Sequence, residues 1–160
     1  YNISFSHKPW YPPPKIAQAK IIDIHMQGGA MGNLASAVFA GESRSLRYLA
    51  QNEVKLWAFN GEIGGYGLTL ADITRGDTAI LRVWNDTRWR HAMHLHGQHF
   101  WVHSKEFGEQ GRQVLRDTYL MQPSEKADLI FVADNPGLWL FHCHMLEHHA
   151  SGMGGIILVT

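Results

Sequence analysis

Apolar and polar residues alternate along several short stretches of the chain, a period that is typical of half-buried β-strands. The clearest case is the stretch 78–84, in which Leu81 and Val83 alternate with Arg82 and Trp84. The same reasoning predicts strands over 17–27, 54–59, 78–84, 94–103, 127–133, 138–144 and 155–160. Asn, Asp, Gly and Pro residues separate these stretches, and no βαβ alternation is present. The pattern therefore predicts an all-β, antiparallel sandwich or barrel.

One short helix is predicted between the first two strands, after the glycine-rich loop 28–33. Ser43 is placed to cap it, and Leu46, Leu49 and Ala50 fall on one helical face. Helices are thus expected only as short connections.

The 160 residues are the usual length of one domain and can bury a real core. Four prolines in the first fifteen residues, three of them consecutive, favour an extended segment. We therefore interpret residues 1–16 as a Pro-rich linker and residues 17–160 as one domain. Because the chain begins with Tyr1 and carries no signal-peptide pattern, it is expected to be a processed product, an excised domain or a piece of a longer polypeptide.

The charge balance excludes some kinds of partner. Fourteen basic and fourteen acidic residues give a formal net charge of zero, which argues against a general nucleic-acid binder and against a polybasic membrane-surface protein. No apolar run approaches the roughly 20 residues of a transmembrane helix. The single cysteine, Cys143, rules out an intrachain disulfide framework.

Histidine is the unusual residue: there are eleven, and eight of them fall in the segments 91–99 and 142–149. Both segments begin on or beside predicted strands, so the alternation of side chains decides which residues face together. In the second segment His142 and His144 share one face and Cys143 points to the other. In the first segment His94 and His96 share a face, and His91 can face the opposite way.

This parity predicts two metal sites that lie back to back. The first would take Cys143 and His91, with His148 and Met153 from the loop that follows. One thiolate, two imidazoles and a thioether are the donor set of a blue-copper site. The second would take the imidazoles of His94, His96, His142 and His144, which suit copper, zinc or nickel. A structural zinc site or a Cys–His hydrolase would leave most of these histidines unexplained.

The spacing of these residues resembles a known family. The pattern His-x-x-His-x-His, followed by His-Cys-His-x-x-x-His-x-x-x-x-Met, is similar to the two C-terminal copper motifs of multicopper oxidases, a family that includes laccases. The pieces 57–61, 85–87, 116–118 and 133–137 stand in the order expected for the last cupredoxin domain of bacterial members. The resemblance covers roughly 54–160, and it implies a cupredoxin-like Greek-key β-sandwich.

The resemblance also implies a role for each ligand. A type-1 copper, which accepts electrons from a reducing substrate, would be bound by His91, Cys143, His148 and Met153. A type-2 copper would be bound by His94, and a type-3 pair by His96, His142 and His144. These three ions would reduce O2 to water, with electrons passing through Cys143 to His142 and His144. Glu147 matches an acidic residue that helps deliver protons in bacterial members.

The chain departs from the family in one respect, because no other His-x-His supplies the remaining half of the three-copper cluster. Either N-terminal cupredoxin domains of the same oxidase or a second copy of this chain would complete it. The alternatives are a stand-alone blue-copper electron carrier without oxygen chemistry, or a copper-storage domain. The reducing substrate (a phenol, an aromatic amine or a metal ion) stays open, and a periplasmic or secreted location is implied by the resemblance.

Overall fold

The computed structural model describes residues 11–104 and 115–160. Most of the predicted linker, residues 1–10, lies outside the described residues. Within these two ranges the fourteen strands are β1 Lys20–Gly28, β2 Ser36–Phe39, β3 Glu42–Ser45, β4 Trp57–Phe59, β5 Glu62–Ile63, β6 Thr69–Ile73, β7 Thr78–Asn85, β8 His91–Leu95, β9 Phe100–Ser104, β10 Leu115–Arg116, β11 Thr118–Met121, β12 Lys126–Val132, β13 Gly137–Cys143 and β14 Gly154–Val159. The helical segments are a 3₁₀ turn Ile16–Gln18, α1 Leu46–Tyr48, a π turn Leu49–Glu53 and α2 Leu146–Ala150.

The strands form two sheets that pack face to face. One sheet has nine strands in the order β10-β9-β12-β7-β1-β4-β5-β2-β3, and the other has five in the order β11-β8-β13-β14-β6. Neighbours in each sheet are often distant in sequence, so the chain crosses repeatedly between the two layers. The predicted all-β sandwich with short helical connections is confirmed.

The sheets are mixed, whereas the sequence predicted antiparallel pairing. Strand β1 runs parallel to β7 over seven residue pairs, and β14 runs parallel to β6. Parallel neighbours need a crossover connection. Here the crossovers run through other strands and through helical segments of only three to five residues, so they give no βαβ pattern in the sequence.

The core lies between the two sheets and is built from alternate residues of each strand. In β8, Met93 and Leu95 are completely buried while Ala92 and His94 face outward. Phe59 from the large sheet stacks on Phe141 from the small one, with ring centroids 6.0 Å apart. Burying a side chain of this kind stabilises the fold by about 1.5–3 kcal/mol, so this interior holds the two sheets in a fixed relation.

The helix prediction was right in place but wrong in its cap. Ser43 lies in β3, paired with Val38, and Ser45 caps α1 by accepting a hydrogen bond from the Tyr48 N–H at 3.2 Å. The β2–β3 hairpin extends two residues past Ser43, so the helix starts later than the turn chemistry suggested. Val54, predicted to open a strand, is left-handed with φ 55°, and β4 begins at Trp57.

The predicted strand 94–103 is also corrected, because it is two strands joined by a turn. β8 ends at Leu95 and β9 begins at Phe100. At the turn Gly97 has φ 66°, and a Cβ there would lie 2.3 Å from the Trp139 ring. Only glycine fits this left-handed position under an indole. Among residues 11–104 and 115–160, no helix has the length and hydropathy needed to cross a lipid bilayer.

Truncation of two strand leucines should have different effects on stability. Leu81 on β7 is fully buried, whereas Leu138 on β13 is 71% exposed. Leu81→Ala should lower the free energy of unfolding by about 2–5 kcal/mol, since it removes packed atoms and leaves a cavity. Leu138→Ala should change it by less than about 0.5 kcal/mol. Denaturant unfolding measures both, and equal losses would contradict the assignment of inward and outward faces.

Candidate metal centre

Strand alternation places two groups of metal-binding side chains on opposite faces of the small sheet. β13 pairs with β8 so that His142 lies opposite His94, and Cys143 lies opposite Met93. Cys143 and Met93 belong to the buried core cluster, and His91 is also completely buried, whereas His94 is on the outer face. The side chains of the two histidine segments therefore face the sides of the sheet that were predicted: Cys143 and His91 the interior, and His94 and His142 the outer face.

Three donor atoms converge in the interior at the end of the sandwich. Sγ of Cys143 lies 3.7 Å from Nδ1 of His91 and 3.6 Å from Nδ1 of His148, and the two nitrogens are 3.0 Å apart. The circle through three atoms at these spacings has a radius of about 2.0 Å, close to a typical metal–nitrogen bond length. The three atoms thus surround a space that one transition-metal ion would fill.

The loop after β13 brings His148 and Met153 to this position. Helix α2 turns the chain back, and the Met153 N–H donates to the His148 carbonyl at 3.0 Å. The Cys143 N–H in turn donates to the Met153 carbonyl at 3.1 Å. Met153 is fully buried in the same cluster as Cys143, so its backbone and burial place it beside the three donors.

Burial controls the protonation of the three donors. It lowers the pKa of His91 to about 3, with a smaller contribution from the neighbouring His148 imidazole, and it also lowers the pKa of His148. Burial raises the pKa of the Cys143 thiol. At neutral pH the imidazoles are therefore uncharged and have lone pairs to offer, whereas the thiol must lose a proton to become a ligand.

Trp57 covers the pair of imidazoles. Its ring centroid is 4.8 Å from that of His91 and 4.7 Å from that of His148. The glycine-rich loop packs on the indole in turn, since a Cβ at Gly29 would lie 2.2 Å from the Trp57 ring. Trp57 appeared in the sequence only as part of the piece 57–61, and the glycine-rich loop had no predicted role. Their contact could not be predicted, because the two segments are distant along the chain.

The second group lies on the outer face of the small sheet. The ligand nitrogens of His94, His96 and His142 lie within 4.8 Å of one another, and the Nε2 atoms of His96 and His142 are 2.9 Å apart. His144 is exposed, and its ring centroid lies 5.6 Å from His94 and 5.7 Å from His142. All four predicted imidazoles are thus together, with His144 at the margin.

Backbone carbonyls determine which ring nitrogen is available on two of these residues. Nδ1 of His142 donates to the Cys143 carbonyl at 2.8 Å, and Nδ1 of His94 donates to the Asp117 carbonyl at 2.7 Å. Since a carbonyl only accepts, both rings carry their proton on Nδ1 and leave Nε2 for a metal. Burial, the first of several causes, lowers the pKa of His142 to about 4.

Glu147 and the remaining histidines in and near the two segments lie outside the two groups. Glu147 is exposed on α2, and His103 is exposed on β9. The His99 N–H donates to the Tyr11 hydroxyl at 2.8 Å. The ring centroid of His149 lies 4.6 Å from that of His142.

Comparison with known proteins gives the family. The model of the family described as multicopper oxidase matches residues 40–160. The chain belongs to the multicopper oxidase family. Copper is accordingly the cofactor to expect, and the donors fit it, because one thiolate and two imidazoles in a near-trigonal arrangement are the core of a blue-copper site.

Similar curated proteins are longer oxidases. The chain is 37% identical over 98 residues to the multicopper oxidase MmcO of Mycobacterium tuberculosis. The aligned region covers 61% of this chain and 18% of MmcO. It is 40% identical over 74 residues to L-ascorbate oxidase of Cucurbita maxima, covering 40% of this chain and 13% of that enzyme. The chain therefore spans less than a fifth of the relatives it matches.

Solved structures support the cupredoxin-like fold. A multicopper oxidase of Campylobacter jejuni, described as a metallo-oxidase, superposes with a TM-score of 0.69 at 24% identity, over 99% of this chain and 34% of that one. The blue copper oxidase of Nitrosomonas europaea superposes with a TM-score of 0.67 at 20% identity, over 95% of this chain and 48% of that one. The fold predicted from the resemblance is confirmed.

The protonation states predict how many protons metal binding releases. An ion at the interior group displaces the Cys143 proton and none from the neutral imidazoles of His91 and His148. Calorimetric titration of the metal-free chain with zinc, in buffers of different ionisation enthalpy, measures this release. The wild type should release about one proton more on zinc binding than Cys143→Ser does. Below the thiol pKa, affinity at this site should rise about tenfold per pH unit.

The exposed His103 supplies the control for this titration. His103→Ala removes an imidazole that lies outside both groups and should leave proton release unchanged. A difference of two or more protons between the wild type and Cys143→Ser would contradict the protonation states given above.

Proposed function

We propose that this chain is the electron-accepting and cluster-forming domain of a laccase-like multicopper oxidase. Type-1 copper would be held by His91, Cys143, His148 and Met153. Type-2 copper would be held by His94, and the type-3 pair by His96, His142 and His144. Bound copper supplies one-electron redox chemistry at the first site and four-electron reduction of O2 to water at the second. The reducing substrate would be a phenol, an aromatic amine or a metal ion.

The observation that carries the proposal is the sharing of one strand by both groups. Cys143 faces the interior and His142 faces outward, although they are adjacent residues of β13. The His142 ring also donates to the Cys143 carbonyl at 2.8 Å. Cys143 is thus connected to the outer group both through the peptide chain and through this hydrogen bond. An electron carrier that worked alone would gain nothing from such a connection.

The residues have separate tasks in this arrangement. Cys143 supplies the soft anionic donor, and the neutral imidazoles of His91 and His148 complete the plane. Trp57 and the surrounding core exclude water from that plane. Glu147, exposed at the start of α2, is proposed to take up protons from solvent for the outer site, as the resemblance implies.

The outer group needs further ligands from elsewhere. The described residues place four imidazoles there, and the chain spans less than a fifth of its curated relatives and 48% of the Nitrosomonas europaea oxidase. We propose that N-terminal cupredoxin domains of the same oxidase, or another copy of this chain, cover this face and complete the cluster. A periplasmic or secreted location is proposed with it.

The second candidate is a stand-alone blue-copper electron carrier. The interior group favours it, because three donors and the buried Met153 come from this chain alone. His94 and His96 distinguish the two functions, since an electron carrier has no use for imidazoles on the outer face. The ratio of copper bound per chain separates them.

Substitution of the interior ligands should alter the visible spectrum. The copper-loaded chain is expected to show an intense blue band from thiolate-to-copper charge transfer. Cys143→Ser should abolish the band, because oxygen does not replace the soft sulfur donor. Met153→Leu should keep the band and raise the reduction potential, because it removes a weak axial donor. A blue band that survives Cys143→Ser would overturn the assignment.

Oxygen reduction should depend on what covers the outer face. The isolated monomer offers four imidazoles and should show little or no turnover, whereas an assembly that covers this face should be active. Oxygen consumption and mass, measured together across protein concentrations with copper present, test this. His144→Ala should abolish activity of the assembly and keep the blue band, and Glu147→Gln should slow it. Robust turnover by a proven monomer would contradict the proposal.

A further inference from the structure

His91 is completely buried, so each of its ring nitrogens must be satisfied inside the protein. Nδ1 faces Cys143 and His148 in the interior group. Nε2 lies 2.9 Å from the hydroxyl oxygen of Thr87, which is also buried. An imidazole and a hydroxyl can each donate or accept, so this contact alone does not say which nitrogen carries the proton.

The orientation of Asn85 settles part of that question. Asn85 is fully buried, and its Nδ2 lies 2.8 Å from the Trp89 carbonyl and 2.7 Å from the Gln122 carbonyl. Both carbonyls only accept hydrogen bonds, so they require the NH2 group and use both of its protons. The amide oxygen of Asn85 therefore points the other way, towards Thr87, and can only accept.

Thr87 transmits this constraint to His91. Its hydroxyl oxygen lies 2.7 Å from Oδ1 of Asn85 and 3.2 Å from the Trp89 carbonyl, and both of these atoms only accept. Two oxygens only 2.7 Å apart need a proton between them, and the Asn85 oxygen has none, so the single hydroxyl proton of Thr87 is donated to Oδ1 of Asn85. The Thr87 oxygen is then an acceptor for His91, and Nε2 of His91 must carry the proton that it accepts.

The start of this chain of hydrogen bonds is anchored in the core. The Asn85 N–H donates to the Glu125 carbonyl at 2.9 Å. The buried Glu125 carboxylate accepts from the hydroxyls of Ser104 and Tyr119, each at 2.6 Å, and from the Gln122 N–H at 2.7 Å. The backbone of Asn85 is thus held by a buried network, and its side chain is held by the two amide hydrogen bonds to the Trp89 and Gln122 carbonyls.

We propose that Asn85 and Thr87 are positioning residues that fix His91 as its Nε2–H tautomer before any metal binds. The lone pair of Nδ1 is then directed at the space between Cys143 and His148. This inference rests on the proposed type-1 site and adds to it the residues that prepare one ligand. Hydrogen bonds to the distal nitrogen of a ligating histidine typically change metal affinity by about 10–100-fold.

The opposite tautomer would obstruct the site. Nδ1 of His91 lies 3.0 Å from Nδ1 of His148, so a proton on it would form a hydrogen bond with His148 and occupy the lone pairs that a metal needs. In the metal-free protein this contact competes with the one to Thr87. The constraint from Asn85 keeps the proton of His91 on Nε2, so a proton in the contact between the two Nδ1 atoms belongs to His148.

The test compares two substitutions at Thr87 in the metal-free and metal-loaded chain. Thr87→Ser keeps the hydroxyl and should keep the Nε2–H tautomer. Thr87→Val has nearly the same shape but cannot accept, so the proton of His91 should move to Nδ1. Nitrogen-15 NMR of the labelled imidazoles in the metal-free protein reports the tautomer directly. Affinity for Co(II), measured by its thiolate charge-transfer band, should fall about 10–100-fold in Thr87→Val alone.

The wild-type tautomer keeps the proposal falsifiable even if Thr87→Val fails to fold. A metal-free wild type with the His91 proton on Nδ1 would overturn it, as would a folded Thr87→Val that keeps both the Nε2–H tautomer and the wild-type affinity. Failure of the proposed function would give a different result. The metal-free wild type would still show the Nε2–H tautomer of His91, but the copper-loaded wild type would show no blue band.

Discussion

The alternation of side chains along β13 is the constraint on which the two metal groups depend. Successive residues of a strand point to opposite faces of the sheet, so His142 and Cys143 cannot share a site while the strand stays extended. The pairing of β13 with β8 repeats the separation, since His94 lies opposite His142 and Met93 opposite Cys143. The small sheet therefore separates two groups of metal-binding side chains: one enclosed in the interior and one open on the outer face.

The two faces impose different chemistry on similar imidazoles. In the interior, burial lowers the pKa of His91 to about 3, which keeps it neutral without a counter-charge. The free-energy cost of burying these polar rings is limited by their hydrogen-bond partners. Nε2 of His91 contacts the Thr87 hydroxyl, and Nδ1 of His91 contacts Nδ1 of His148. On the outer face His96 and His144 are exposed, and that group gains its enclosure only from whatever covers the sheet.

Much of this arrangement could be predicted from the sequence, because it depends on local periodicity. The parity of His91, His94 and His96, and of His142 and Cys143, follows from strand geometry alone. The parallel pairing of β1 with β7 could not be predicted, because the residue pattern of either strand does not determine whether its neighbour runs parallel or antiparallel. The turn at Gly97 was missed because the residues around it also suit a strand.

The supporting roles of Trp57, Asn85 and Thr87 could not be predicted, for a different reason. Trp57 lies 34 positions before His91 along the chain, and only the packed sheets bring its ring onto the imidazoles. Asn85 and Thr87 are close to His91 in sequence, but ordinary turn residues have the same composition. Their importance becomes visible only when every buried donor and acceptor around them is assigned.

Adjacent residues of β13 are proposed to serve two copper sites. Anomalous diffraction at the copper absorption edge, on crystals of the copper-loaded chain, would locate both. We expect one peak about 2.0 Å from Nδ1 of His91 and of His148 and about 2.3 Å from Sγ of Cys143. We expect further density on the outer face, beside Nε2 of His142. Copper on one face of the sheet only, or held by histidines outside the two groups, would contradict the proposal.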